Sequence, residues 1–254
     1  MISKNLTSFL LNLFFGLLMA NPMTYSQTKN SGDAAYLFTY FPKEGKNSEF
    51  ENGYKRHLEW HEKNGDPITW YGWTVIFGER LGLFVDGAFG ITHKAMDLRV
   101  NPAGDRKNFT IHVAPYAIPV NRELYELVRP LSNSFTLETN SPSNMIDVHY
   151  VRLSYGMNEE FEQAIGLVIN NSPSINFSVY RKVIGDSCDY MLMVPRDSWS
   201  YYDSESSFKT LIELSKLMPE SSIKKVRELL KQAVNEEKIE TWLYREDLSY
   251  FGKN

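Results

Sequence analysis

The sequence predicts an α+β fold built from two β-α-β-β-α-β units in tandem. Three observations carry this. One order of elements (strand, helix, strand pair, helix, strand) can be read twice along the chain. A turn-rich stretch, "ETNSPSN", separates the two readings. Hydrophobic residue types make up 43% of the chain and aromatics 14%, enough to fill a core, while the lone Cys188 excludes an intrachain disulfide.

The chain opens with "MISKNLTSFLLNLFFGLLMANPMTYSQ". Its apolar run from Phe9 to Ala20 is too short to span a bilayer as a mature helix and has the form of a secretory signal. Thr24 and Ser26 supply the small residues that a signal peptidase needs for cleavage before Gln27. The expectation is a signal over residues 1–26, a flexible start over 27–35 and an exported protein, periplasmic or extracellular. No cysteine follows the run, which excludes a lipoprotein anchor, and the mature chain has no membrane span. A net charge of −4 argues against a nucleic-acid partner, which would call for a basic field.

The first unit is expected over residues 36–135. "YLFTYF" reads as a strand, and "NSEFENGYKRHLEWHEKNG" has helical periodicity ending at Gly65. "ITWYGWTVIFG" and "LGLFVDGAFG" form a strand pair joined at "ERLG", with Gly78 and Gly82 to turn the chain. "THKAMDLRVNPAGDRKNFTIHVAPYA" resembles an insert; Asn101-Pro102 reads as the cap and first turn of a helix, and the segment is polar enough to close over a cleft. "RELYELVRPLSNSF" ends the unit. After a linker over 136–147, the second unit (148–254) repeats the order. "VHYVRLSY" is its first strand, "NEEFEQAIGLVINN" its first helix, and "INFSVYRKVIG" with "CDYMLMVP" its strand pair. Two amphipathic helices, "SSFKTLIELSKLM" and "SSIKKVRELLKQAVNEEK", are split by Pro219 and lead into "IETWLYREDLSYF". Setting Leu131-Ser132 over Leu248-Ser249 also sets Tyr125 over Trp242.

This order is the ferredoxin-like pattern, in which a four-stranded sheet needs its open face covered. Two tandem ferredoxin-like units can cover each other. On this layout the chain resembles the dimeric α+β-barrel superfamily, and within it the NIPSNAP-like and antibiotic-biosynthesis-monooxygenase-like proteins. The resemblance is architectural, spans nearly all of the mature chain and rests on no diagnostic catalytic motif. It implies two units packed as a pseudo-dimeric α+β barrel, monomeric or homodimeric, with a ligand cleft between one unit's sheet and its helices. The superfamily includes cofactor-free oxygenases, haem-binding enzymes and proteins with no known reaction, so the fold does not choose the chemistry.

The candidate site lies in "GYKRHLEWHEKNG". On a helical wheel Phe50, Tyr54, His57, Leu58 and His61 share a face about 100° wide, with Lys55, Glu59, Glu62 and Lys63 opposite and Trp60 at the edge. Both histidines therefore point at the sheet. Leu58 follows His57 where a zincin motif requires Glu, which rejects a metalloprotease. His57 and His61 at i and i+4 can still share an ion, with His93, Asp86, Asp97, His112 or His149 as a third ligand. Haem ligation by one of them, walled by Trp60, Trp70 and Trp73, is another option. The plain alternative is two rings packed at a helix–sheet seam.

Asp86 is a charge in an apolar strand, and with His57 or His61 it would make an acid–base pair. Gly72 and Gly87 leave room for a ligand or a bulge. The second unit's first helix has no histidine, so a site belongs to the first unit. The expected catalytic residues are His57, His61 and Asp86, and the expected ligand contacts are Tyr54, Trp60, Trp70, Trp73 and His93. Neither a metal nor haem is expected as a cofactor. The expected function is binding of a small aromatic or apolar ligand, haem or an oxidisable substrate included. A noncatalytic interaction module and a metal-dependent hydrolase are the alternatives.

Overall fold

The computed structural model describes residues 31–172, 175–205 and 207–252. The expected signal over residues 1–26 lies outside them. The first unit runs β1 (Ser31–Pro42), α1 (Asn47–Asn64), β2 (Tyr71–Phe77), β3 (Phe84–Ile91), α2 (His93–Asp97), α3 (Pro102–His112) and β4 (Ala117–Leu127). The second runs β5 (Met145–Leu153), α4 (Asn158–Asn171), β6 (Ser178–Ile184), β7 (Tyr190–Arg196), α5 (Glu220–Ala233) and β8 (Val234–Tyr244).

Four details depart from the sequence reading. β1 begins at Ser31, within the stretch expected to be flexible. The insert-like segment is no insert: α3 is the first unit's second helix and the counterpart of α5. "LIELSKL" (Leu211–Leu217) winds as a 3-10 helix, and only the stretch after Pro219 is α-helical. β8 starts at Val234, five residues before the expected strand, directly at the end of α5.

Each unit has the strand order of its type, β4-β1-β3-β2 and β8-β5-β7-β6, with every neighbour antiparallel. The units do more than face each other. Edge strand β2 pairs with β8 through Trp73–Tyr244 and Val75–Trp242, and β4 pairs with β6 through Glu126–Arg181 and Leu127–Tyr180. Eight strands thus close into one barrel, and among the described residues no barrel strand is left with an unpaired edge.

Strand alternation divides the apolar side chains into three layers. Tyr71, Trp73, Val75, Val85, Phe89, Tyr125, Tyr150, Tyr180 and Trp242 point inward and fill the barrel. Phe50, Tyr54, Trp70, Phe84 and Val113 pack between the first sheet and its helices, and Phe161, Ile165, Val168, Leu192 and Leu229 between the second sheet and its own.

The aligned "LS" pairs explain how the units are held. Each closing strand runs into a 3-10 turn, Arg129–Leu131 or Glu246–Leu248, followed by Ser132 or Ser249. Ser132 Oγ accepts the Val179 N–H of β6 at 2.9 Å, and Ser249 Oγ accepts the Gly72 N–H of β2 at 2.9 Å. Leu131 is buried in the second unit's outer core and Leu248 in the first unit's. Each unit's tail completes the other. Gly72 is required here, because a Cβ would stand 2.2 Å from the Leu248 carbonyl oxygen. The spaces expected at Gly72 and Gly87 are therefore filled by protein, the latter by Phe89, Leu37 and Trp73.

Among the described residues no helix is long and apolar enough to cross a membrane.

Candidate functional site

A cavity of about 180 Å³ lies between the outer face of the first sheet and helices α1 and α3. Phe38 and Tyr40 of β1, Asp86 of β3, Trp70 just before β2 and Arg122 of β4 form its floor. His57 and His61 of α1, Arg99, and Pro102, Asp105, Arg106 and Phe109 of α3 close it from above.

Local sequence sets this arrangement. α1 stops at Gly65, which adopts the left-handed conformation (φ 64°). The Gly65 N–H reaches the Glu62 carbonyl and the Asp66 N–H the His61 carbonyl, so the chain doubles back on the last turn. Asp66 is thereby delivered to His61, with Oδ2 2.6 Å from Nδ1. The Trp70 Nε1–H, at 3.0 Å, and the Ile68 N–H, at 3.0 Å, also donate to this carboxylate. Burial opposes its charge, but these donors win and hold the Asp66 carboxyl below the usual range.

On the other side, Asn101 caps α3 by accepting the Gly104 N–H, with Pro102 in the first turn, as the sequence implied. This puts Asp105, Asn108 and Phe109 on the α3 face that meets α1. The helices approach closely because α1 has Gly53 at the crossing, where a Cβ would stand 1.8 Å from the His112 carbonyl oxygen.

At the meeting point His57 Nδ1 lies 3.0 Å from Asn108 Oδ1, and the two Nε2 atoms are 3.3 Å apart. Asp105 Oδ1 is 3.3 Å from His57 Nε2 and 3.6 Å from His61 Nε2. Its other oxygen pairs with Arg99, whose guanidinium lies over the Trp70 ring at 5.5 Å. Burial, together with the neighbouring His61, pushes His57 down to about 4, so at neutral pH its ring is uncharged. Burial pushes the Asp86 carboxyl up to about 7, an effect the nearby Tyr54 hydroxyl partly offsets. Asp86 Oδ1 is out of solvent and has no hydrogen-bond partner. A protonatable carboxyl thus faces the cavity.

The structure brings together four of the expected residues, His57, His61, Asp86 and Trp70. It does not join Asp86 to a histidine: His61 bonds Asp66 and His57 bonds Asn108. Tyr54 is buried beneath, against Phe84 at 4.6 Å, and Trp60 stacks on the outer side of His57 at 6.4 Å. Two expected contacts lie elsewhere. Trp73 alternates inward and packs on Trp242 at 5.7 Å inside the barrel. His93 is exposed and bonds the Tyr36 hydroxyl at 3.0 Å. His149, considered as a third ligand, is buried in the second unit between Glu237 and Phe208.

Asp66, Asn108, Phe38, Tyr40, Phe109, Arg106 and Arg122 were not singled out from sequence. Asp66 had a usable signal: it directly follows a helix-ending glycine. Asp105 lies within the polar segment that the sequence presents as an insert.

Haem, which the resemblance raises, does not fit this cleft. Its volume matches one six-membered ring rather than a macrocycle; an apolar cavity of about 150 Å³ in another protein takes benzene. The two imidazole Nε2 atoms also converge on each other rather than on a flat slot.

No family model and no curated protein matches the sequence. Solved structures do match in fold. A candidate monooxygenase from Fusobacterium nucleatum superposes with a TM-score of 0.54 at 9% identity, covering 84% of this chain and 93% of that one. A candidate monooxygenase from Lactobacillus acidophilus gives 0.51 at 11% identity, covering 86% and 96%. A candidate chlorite dismutase gives 0.50 at 12% identity, covering 85% and 96%. The chain therefore has the fold of the dimeric α+β-barrel proteins, with both halves of the barrel in one polypeptide.

Proposed function

We propose that the cleft of the first unit binds a small single-ring molecule and acts on it. The observation that carries this is the cavity itself: a space of ring size walled by Phe38, Trp70 and Phe109, with His57, His61, Asp105 and the Asp86 carboxyl, whose Oδ1 has no partner, at its polar side. Pockets that bind small molecules combine apolar walls with a few convergent polar groups in this way. Arg106 and Arg122 also line it, the latter over Phe38 at 5.8 Å, and favour an anionic substituent on the ring. The fold neighbours include candidate monooxygenases, and an oxidisable ring is a substrate compatible with that likeness. The reading retains export of the chain after removal of its leader.

The test is a binding panel of benzoate, 4-hydroxybenzoate, phenol and 2-naphthoate, followed by amide shifts in heteronuclear spectra. Benzoate and 4-hydroxybenzoate are expected to shift resonances of α1 and α3, phenol less because it lacks the carboxylate, and naphthoate not at all. Phe109→Trp, which fills the space, should abolish binding. Naphthoate binding as well as benzoate, or shifts unaffected by Phe109→Trp, would refute the reading.

A further inference from the structure

We infer that His57, His61 and Asp105 form a binding site for a divalent first-row transition ion, with zinc as the best fit. This goes beyond ring binding and does not depend on it.

Asp66 lies 2.6 Å from His61 Nδ1, so that nitrogen donates to the carboxylate and Nε2 is the ring atom turned toward the cluster. Asn108 presents its carbonyl oxygen 3.0 Å from His57 Nδ1, which fixes the same tautomer there. Asp105 Oδ1 is buried and accepts no hydrogen bond. Three possible ligand atoms, His57 Nε2, His61 Nε2 and Asp105 Oδ1, therefore converge within 4.8 Å of one another. Reversing the Asn108 amide would put a hydrogen on His57 Nε2, at 3.3 Å from both His61 Nε2 and Asp105 Oδ1, and one N–H cannot fully satisfy both. Orphaned acceptors out of water are costly, and a cation satisfies all three at once.

The spacing matches an ion's requirements. Ligands held about 2.0–2.1 Å from a tetrahedral ion stand about 3.3–3.4 Å from one another. The observed separations are 3.3 Å between the Nε2 atoms, and 3.3 and 3.6 Å from these to Asp105 Oδ1. Two imidazoles and one carboxylate select a borderline transition ion over calcium or magnesium, which prefer all-oxygen sets. Each ligand has its own outer support: Asp66 behind His61, Asn108 behind His57 and Arg99 behind Asp105. Such outer partners are the usual companions of metal-ligating side chains. Because these three residues line the cavity, a fourth coordination position is left for water or for a donor atom of the ring ligand. A zinc-bound water there would ionise near neutral pH.

The test uses tag-free full chain stripped with a chelator and dialysed, then titrated with Co2+ as the visible probe and Zn2+ as its competitor. The expected result is one equivalent of Co2+ with the intense visible bands of a four-coordinate site, displaced by one equivalent of Zn2+. Asp105→Asn, nearly isosteric, should weaken binding by about 100-fold or more, and Asp66→Asn by about 10–100-fold through loss of outer support. His93→Gln, outside the cleft, should bind as wild type does. A complementary reading that needs no variant is the 15N shift of the two Nε2 atoms on zinc addition. No saturable cobalt spectrum, unchanged affinity in Asp105→Asn, or unmoved Nε2 shifts would overturn the inference. Loss of ring binding with the metal site intact would instead count only against the ring-binding reading.

Discussion

His57 and His61 were legible from spacing alone, because i and i+4 on one helix face is fixed by helical geometry. Their partners were not. Strand alternation offered Asp86, whereas the carboxylate that reaches His61 is Asp66, brought there by the turn after Gly65. Asp86 is left as a carboxyl whose Oδ1 is out of solvent and unpartnered, with its own signature. Between pH 3.8 and about 7 the folded metal-free protein holds a proton that the unfolded chain releases, so Asp86 makes stability fall as pH rises. His57 acts oppositely: between about 4 and 6.5 the unfolded chain takes up a proton that the folded ring refuses, so stability rises with pH. Asp86→Asn removes only the first trend. The metal-free variant should therefore gain thermal stability relative to wild type on going from pH 4 to 7, read from melting midpoints in a pH series. Parallel curves for the two proteins would contradict the protonated assignment.

At the level of elements, α1, both hairpins and the doubled order were readable, because amphipathic periods and paired glycines report directly on local conformation. α3 was misjudged as an insert. Its hydrophobic face is weak, since the side it turns to α1 carries Asp105 and Asn108 rather than aliphatic residues. A helix that faces a polar site loses the apolar stripe by which helices are found. Gly53 then becomes the critical contact of the α1–α3 pair. Gly53→Ala places a methyl against the His112 carbonyl and should drive α3 outward. The expected cost is about 1–3 kcal/mol in urea unfolding, the usual range for overpacking, with cobalt affinity reduced as Asp105 withdraws. Wild-type affinity in a destabilised variant would show that the helices can separate without disturbing the cluster.

For the molecule as a whole, the sequence disclosed two units but not how their edges meet. Barrel closure depends on pairings between distant segments, β2 with β8 and β4 with β6, that leave no local trace. The swapped tails add a cooperative constraint. Leu248 belongs to the second unit yet is fully buried in the first unit's core. Leu248→Ala should cost about 2–5 kcal/mol, as for other buried leucines, and should lower a single unfolding transition shared by both units. Separate calorimetric transitions would mean that the units are energetically independent. The single-chain barrel also has a genetic consequence. When two identical subunits close such a barrel, every substitution appears twice, and a change that helps one cleft is imposed on the other. Once the halves are joined in one gene, each position mutates alone. Here, aligned from the helix starts, α1 has His57 and His61 where α4 and its C-cap have Val168 and Ser172, a difference that two copies of one subunit could not carry.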